Sequence, residues 1–158
     1  ETSVFHRGWP TVPAEWRDAA LSAPVQELRE LRAAVNKVLE DCRSRQELGA
    51  SLEAAVRIEA RRPELQAALS WLSETGDAEV DGLRDWLLVS QLQIGGEPWA
   101  EVLASQDDEL ASIEVSRARG TKCERCWHYE GDVGQHQEHP HICGRCVGVL
   151  ERRTHQLA

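Results

Sequence analysis

A chain of 158 residues, 41% hydrophobic and 28% charged, holds enough apolar material for one ordinary domain or two small ones. Its longest purely apolar runs, such as Trp86-Leu87-Leu88-Val89, are far shorter than the roughly 20 residues that cross a bilayer, and no signal-peptide pattern is present. A net charge of −9 argues against general affinity for nucleic acid, because excess Lys and Arg drives phosphate binding.

The chain neither begins with Met nor contains one, as expected for a piece of a longer polypeptide. Glu1 to Pro24, with Trp9-Pro10, Pro13, Trp16 and Pro24, reads as an extended lead-in with one short helical turn. Pro24 suits the first turn of a helix, where its missing N–H costs nothing. From Val25 to about Leu48 the apolar residues Leu28, Leu31, Val35, Val38, Leu39 and Cys42 fall on one helical face, and Gly49 is placed to end it. The period then changes. Leu52, Ala54, Val56, Ile58 and Ala60 alternate with Glu53, Ala55, Arg57 and Glu59, as in a strand buried on one face. Pro63 opens a second helix with Leu65, Ala68, Leu69 and Leu72 inward and Gly76 as its stop. Further strands are expected at Trp86 to Ile94, closed by Gly95-Gly96, and at Ala111 to Arg119, where Ile113 and Val115 alternate with Glu114 and Ser116. The fold class expected is α+β: a long helix, a small mixed module and a cysteine-bearing tail. The divisions fall at residues 1–48, 49–119 and 120–158.

Cys123-Glu-Arg-Cys126 and Cys143-Gly-Arg-Cys146 are two Cys-x-x-Cys knuckles sixteen residues apart. A closed structural zinc site takes four tetrahedral ligands, and thiolates at this spacing supply them in pairs from two tight turns. Gly144 eases one turn; Gly131, Gly134 and Pro140 let the intervening loop return. Disulfides fit poorly with a chain that nothing routes out of a reducing compartment. A thioredoxin-like site would not carry a second matching pair, and four thiolates leave no open position for catalysis. The expectation is one structural Zn²⁺ on Cys123, Cys126, Cys143 and Cys146. His128, His136, His139 and His141 are then free to face solvent or RNA, while Cys42 belongs to the helix core.

From Val115 onward seven basic residues, Arg117, Arg119, Lys122, Arg125, Arg145, Arg152 and Arg153, oppose five acidic ones. The tail is therefore net +2 and the remainder −11, which suggests an anion-facing end on an acidic body. Lys122, Arg125 and Arg145 either offset the −2 charge of a four-thiolate zinc site or also reach a phosphate backbone. Trp127 is either a hydrophobic lid or a base-stacking platform. On the long helix Arg29, Arg32, Asn36 and Arg43 share one stripe. It is either a solvated edge, with Arg43 paired to Glu47, or a track for RNA.

The run Lys122-Cys123-Glu124-Arg125-Cys126-Trp127, followed by Ile142-Cys143-Gly144-Arg145-Cys146-Val147, resembles the C-terminal zinc segment of bacterial-type isoleucyl-tRNA synthetases. Leu31-Arg32 with Val35-Asn36-Lys37-Val38-Leu39-Glu40 is similar to the last helix of that family's anticodon-binding domain. Gly49-Ala50-Ser51-Leu52-Glu53-Ala54 is similar to the segment after it, and Ser3-Val4-Phe5 with Trp9-Pro10 to the linker before it. The resemblance implies part of an ATP-dependent class I ligase that joins isoleucine to its tRNA. It implies the region that holds the anticodon stem and loop, in a monomeric enzyme of the bacterial cytoplasm or an organelle of bacterial descent. The family's His-x-Gly-His and Lys-Met-Ser-Lys-Ser signatures, which serve ATP, do not occur here, so no catalytic residue is assigned. RNA contacts are expected from Lys122, Arg125, Trp127, His128 and Arg145, and from Arg29, Arg32 and Arg43 on the helix. The partners expected are isoleucine tRNA and the enzyme's upstream domains, with no membrane. Two other readings remain. Formamidopyrimidine-type DNA glycosylases end in a finger of the same spacing, although they need an N-terminal Pro-Glu that Glu1-Thr2 does not supply. A zinc-stapled protein-interaction module is the other.

Overall fold

The computed structural model describes residues 3–75 and 82–156. The lead-in has short 3₁₀ turns at Val4–His6 and Ala14–Trp16, with Phe5, Trp9 and Trp16 exposed. Helix α1 spans Ala19–Ser44, so it begins a turn and a half before the position expected. Asp18 explains the early start. Its side chain accepts from the N–H groups of Ala20 at 2.9 Å and Leu21 at 3.1 Å, satisfying donors that a helix otherwise leaves open. Pro24 is carried inside the helix, where it removes one backbone bond close to the capped end. The helix also stops before Gly49. Gln46 takes a left-handed conformation (φ 60°), its N–H bonds Arg43 O at 2.9 Å, and the Glu47 N–H bonds Cys42 O at 3.0 Å. That pair of bonds is the Schellman closure, built here without glycine. The buried face is the one the periodicity marks: Leu28, Leu31, Val35, Val38, Leu39 and Cys42.

Strand β1 (Ala54–Ala60) follows a 3₁₀ turn at Ser51–Glu53, and helix α2 (Pro63–Thr75) comes next. Gly76, the expected stop, lies outside the described residues. The stretch expected as one strand from Trp86 to Ile94 divides into helix α3 (Gly82–Leu87) and strand β2 (Gln91–Ile94). Leu88, left-handed at φ 57°, makes the break, with Val89 N bonded to Arg84 O at 3.3 Å. Strand β3 (Ala104–Asp107), which the sequence did not suggest, pairs with β4 (Ala111–Arg117).

The sheet order is β2-β1-β4-β3. β1 runs parallel to β2, a pairing that needs a crossover, and α2 and α3 make it. β1 and β4 are antiparallel, with Val56 opposite Val115 and Ile58 opposite Ile113. Those four side chains are fully buried in one core with α1 and with Leu65 and Ala68 of α2. Burying each large apolar side chain contributes about 1.5–3 kcal/mol.

β1 departs from simple alternation. Ala55 and Arg57, on its other face, are also buried, because the segment after β2 folds back over them. Arg57 donates to Gly96 O and pairs with Glu114 Oε1 at 3.3 Å, while Glu114 Oε2 accepts the Trp99 N–H at 2.9 Å.

After Gly120 the tail forms a small finger: hairpin strands β5 (Thr121–Lys122) and β6 (Tyr129–Glu130), then helix α4 (Gly144–Gln156). Gly120 sits at φ 100°, and a Cβ there would lie 2.5 Å from Glu130 O, so the chain turns into the finger where only glycine fits. Among the described residues no helix is long and apolar enough to cross a membrane.

Candidate metal centre

The four tail cysteines converge. Cys123 follows β5, Cys126 closes the first knuckle, Cys143 immediately precedes α4, and Cys146 lies in its first turn. Their four Sγ atoms lie within 4.8 Å of one another. Cys123 and Cys146 are 3.8 Å apart, and Cys126 and Cys143 3.7 Å. A tetrahedron with Zn–S arms of about 2.3 Å has edges of about 3.8 Å. The same separations are far beyond a disulfide bond of about 2.05 Å, and all five cysteines are free. The donor set and its spacing therefore fit zinc. When bound, the metal supplies a divalent cross-link between the two knuckles and replaces thiol protons.

The surroundings treat the sulfurs unequally. Burial pushes the thiols of Cys126 and Cys143 up. At Cys123 burial also pushes up, but N–H groups of Cys126, Cys143 and Arg125 outweigh it and bring the thiol down to about 6. Cys143 N–H lies 3.4 Å from Cys123 Sγ, and Arg125 Nη1 lies 3.5 Å from Cys146 Sγ. Arg125 thus faces the cluster and offsets its charge. Among the described residues no histidine joins the group of sulfurs.

Each knuckle has its own local reason to form. In the first, Trp127 N bonds Cys123 O at 2.9 Å and Cys123 N bonds His128 O at 2.8 Å. This turn requires Trp127 at φ 68°. In the second, the Gly144 N–H donates to Asp132 Oδ2 at 2.8 Å, which holds the Asp132 carboxyl below its usual range. Gly144 has no left-handed backbone angle; a Cβ there would meet Asp132 Oδ2 at 2.7 Å, so a larger residue would make that carboxylate shift from the N–H it accepts.

A clamp ties the finger to the body, and no residue of it on the body side was expected from the sequence. Arg145 Nη1 donates to Asp85 Oδ2 at 3.0 Å, and Arg84 Nη1 donates to Glu130 Oε1 at 2.9 Å and to Ser90 O at 3.1 Å. The Ser90 hydroxyl is fully buried; it accepts the Tyr129 N–H at 2.7 Å and donates to Leu52 O. His128, only 5% exposed, lies 3.4 Å from Arg145 Nη2 and 3.8 Å from Asp85. Burial, with Arg84 and Arg145 nearby, pushes the imidazole down. Neutral Nδ1 then accepts from Arg145, which leaves the N–H on Nε2.

The other residues singled out in the sequence sit as follows. Lys122 and Trp127 are exposed, with Nζ 5.7 Å from the ring centroid and Trp127 60% accessible. On α1, Arg29 is exposed, Arg32 lies over the Trp86 ring at 5.2 Å, and Arg43 pairs with Glu40 at 2.7 Å. Arg43 therefore does not take Glu47, which binds Arg45 at 2.8 Å.

A protein-family model described as "Zinc finger found in FPG and IleRS" matches residues 120–148. The chain is 83% identical over 157 residues to the isoleucine–tRNA ligase of Parasynechococcus marenigrum, covering 99% of this chain and 16% of that protein. It is 72% identical over 153 residues to the isoleucine–tRNA ligase of Prochlorococcus marinus strain MIT 9313. Against strain MIT 9515 of the same species identity is 38% over 150 residues, again to an isoleucine–tRNA ligase. The chain spans about 16% of the length of the curated relatives it matches. On these matches the chain corresponds to a segment of isoleucine–tRNA ligases, one that carries a four-cysteine zinc-finger cluster.

Proposed function

We propose that the chain is the anticodon-side tRNA-binding appendage of an ATP-dependent isoleucine–tRNA ligase, without catalytic residues of its own, in which a structural zinc ion sets the shape of the recognition surface. Cys123, Cys126, Cys143 and Cys146 hold the metal. Residues 1–48 form the end of a helical domain, 49–119 a junction module, and 120–158 the finger. The enzyme acts as a monomer in the bacterial cytoplasm, or in an organelle of bacterial descent, and the isoacceptor is isoleucine tRNA.

The observation that carries this reading is Trp127. A bulky residue at positive φ is strained by roughly 1–3 kcal/mol, and glycine would close the same turn without strain. The fold nonetheless keeps an indole there, 60% exposed, beside the Lys122 ammonium. An aromatic face with a cation at its edge suits an unstacked base and its phosphate. Lys122 and Trp127 make direct contacts in this proposal, and Arg125 does so from the rim of the cluster. Arg145 and His128 act from beneath by fixing the finger on α3. Arg29, Arg32 and Arg43 on α1 meet the stem backbone.

The test is binding of the zinc-loaded chain to isoleucine tRNA and to a tRNA of different anticodon, at two salt concentrations, with and without a chelator. Preferential binding that is lost with the metal supports the reading. Equal binding to both tRNAs, unaffected by metal removal, defeats it.

A further inference from the structure

Helix α1 sorts its charges between its two edges. Glu27 and Glu30 turn toward the start of α2, where their carboxylates take Arg62 at 3.1 Å and 2.8 Å. Arg29, Arg32 and Asn36 share a stripe on the opposite edge, and Arg32 turns that edge toward α3. Glu30 is the one acidic residue between Arg29 and Asn36, so over this stretch the α3 edge carries no carboxylate of its own.

The Arg32 guanidinium lies over the Trp86 ring, 5.2 Å from its centroid, and has no carboxylate within ion-pair distance among the described residues. Trp86 stays 38% exposed. A guanidinium over an indole is attracted by the negative face of the ring, which narrows the directions that its long side chain samples. The ring takes none of its N–H groups in hydrogen bonds, so those donors stay available. The other cations of the helix edge lack this support. Arg29 is exposed, and Arg43 is engaged by Glu40 at 2.7 Å.

We propose that Trp86 is a positioning residue for RNA binding, holding Arg32 as the principal phosphate contact of α1. The proposal rests on the tRNA-binding reading; it ranks the basic residues of α1 and gives a tryptophan of α3 a role in recognition. A guanidinium fork matches two phosphate oxygens, and a fork already held in place loses less freedom on binding. On a chain of net charge −9, phosphate is accepted only where carboxylates are turned away, as they are on this edge. Asp85, the residue before Trp86, bonds Arg145 of the finger at 3.0 Å. Successive residues of α3 therefore hold the finger and Arg32, which places both proposed RNA contacts on one support.

The experiment measures binding of the zinc-loaded full chain to fluorescently labelled isoleucine tRNA over a range of salt concentrations. The natural chain is compared with R32A, W86L, W86F and R32A/W86L. R32A should weaken binding about five- to tenfold and lower the salt slope by about 1, the mark of one lost phosphate contact. W86L should weaken it about threefold with the slope unchanged, because the charge remains but its cation–π support is gone. W86F should recover most of that loss, and W86L should cost nothing further in the R32A background. Dispersed Ile113 and Val115 signals and one zinc per chain verify that each variant is folded. A full W86L effect in the R32A background overturns the positioning role, since Trp86 would then act without Arg32. R32A binding like the natural chain overturns the phosphate contact and leaves the tRNA reading standing. No binding by the natural chain at any salt concentration overturns both.

Discussion

Arg145, one residue before a metal-ligand cysteine, reaches sixty positions back to bond the Asp85 carboxylate at 3.0 Å. Beside that contact, Ser90 bonds Tyr129 of the finger and Leu52 of the body through one hydroxyl. The finger is therefore seated on α3 and the start of β2, not merely attached by its linker.

Ser90→Ala leaves the Tyr129 N–H and the Leu52 carbonyl without a side-chain partner in a fully buried position. A buried unsatisfied group costs roughly 1–3 kcal/mol, so the zinc-loaded variant should lose about 2–3 kcal/mol in urea unfolding. A loss below about 0.5 kcal/mol would mean that the seat contributes little.

Removing the metal should unfold the finger and spare the sheet. Binding at structural zinc sites is worth on the order of 10–16 kcal/mol, far more than the few hydrogen bonds of β5 and β6 supply. After chelation, amide signals from residues 120–156 should collapse to random-coil positions, while those of Val56, Ile58, Ile113 and Val115 stay dispersed. Cys143→Ser should reproduce the chelated spectrum.

Gln46→Gly should stabilise the chain by about 0.5–1 kcal/mol, because glycine enters the left-handed closure of α1 without Cβ strain. A rise in the urea midpoint with an unchanged slope is the expected reading.

Trp127→Gly separates strain from recognition. Stability with zinc bound should hold or rise, while tRNA affinity falls on the order of ten- to a hundredfold, the worth of one base–aromatic stack. Unchanged affinity would remove Trp127 from the contact surface.

The β3–β4 turn should weaken in acid. Asp108 Oδ1 accepts from Ala111 N at 3.1 Å and Leu110 N at 2.9 Å, and the Ala111 bond above all holds the carboxyl below its ordinary value of 3.8. A lowered folded value contributes stability in full above 3.8 and loses it as pH falls through that lower value. The stability gap between the natural chain and Asp108→Asn should therefore be constant from pH 5 upward and shrink below the ordinary carboxylate range of about 4.

What could be read from sequence follows the range of the interactions concerned. The α1 face from Leu28 to Cys42 is a local periodicity, and the buried residues coincide with it. Two knuckles within 24 residues announce the metal cluster in the same way. Neither end of α1 is legible from local signals, because Pro24 and Gly49 are the stronger markers while the actual ends rest on a single Asp18 and a glutamine closure. α3 and β3, at six and four residues, are too short for a period to register, and left-handed Leu88 carries no glycine to mark the break. Double-sided burial of β1 was invisible because Arg57 is covered by a segment that begins nearly forty residues later. For the same reason the partners of Arg145 and His128 could not be anticipated, since nothing local links either residue to Asp85.

The placement of Ser90 also fixes an order of assembly. Domains form from the N-terminal side as a chain is synthesised. Leu52, Ala54, Arg84, Asp85 and Ser90 all leave the ribosome before the first zinc-ligand cysteine does. The socket precedes its plug, so each newly made finger meets a docking surface already available when its second pair of thiols emerges.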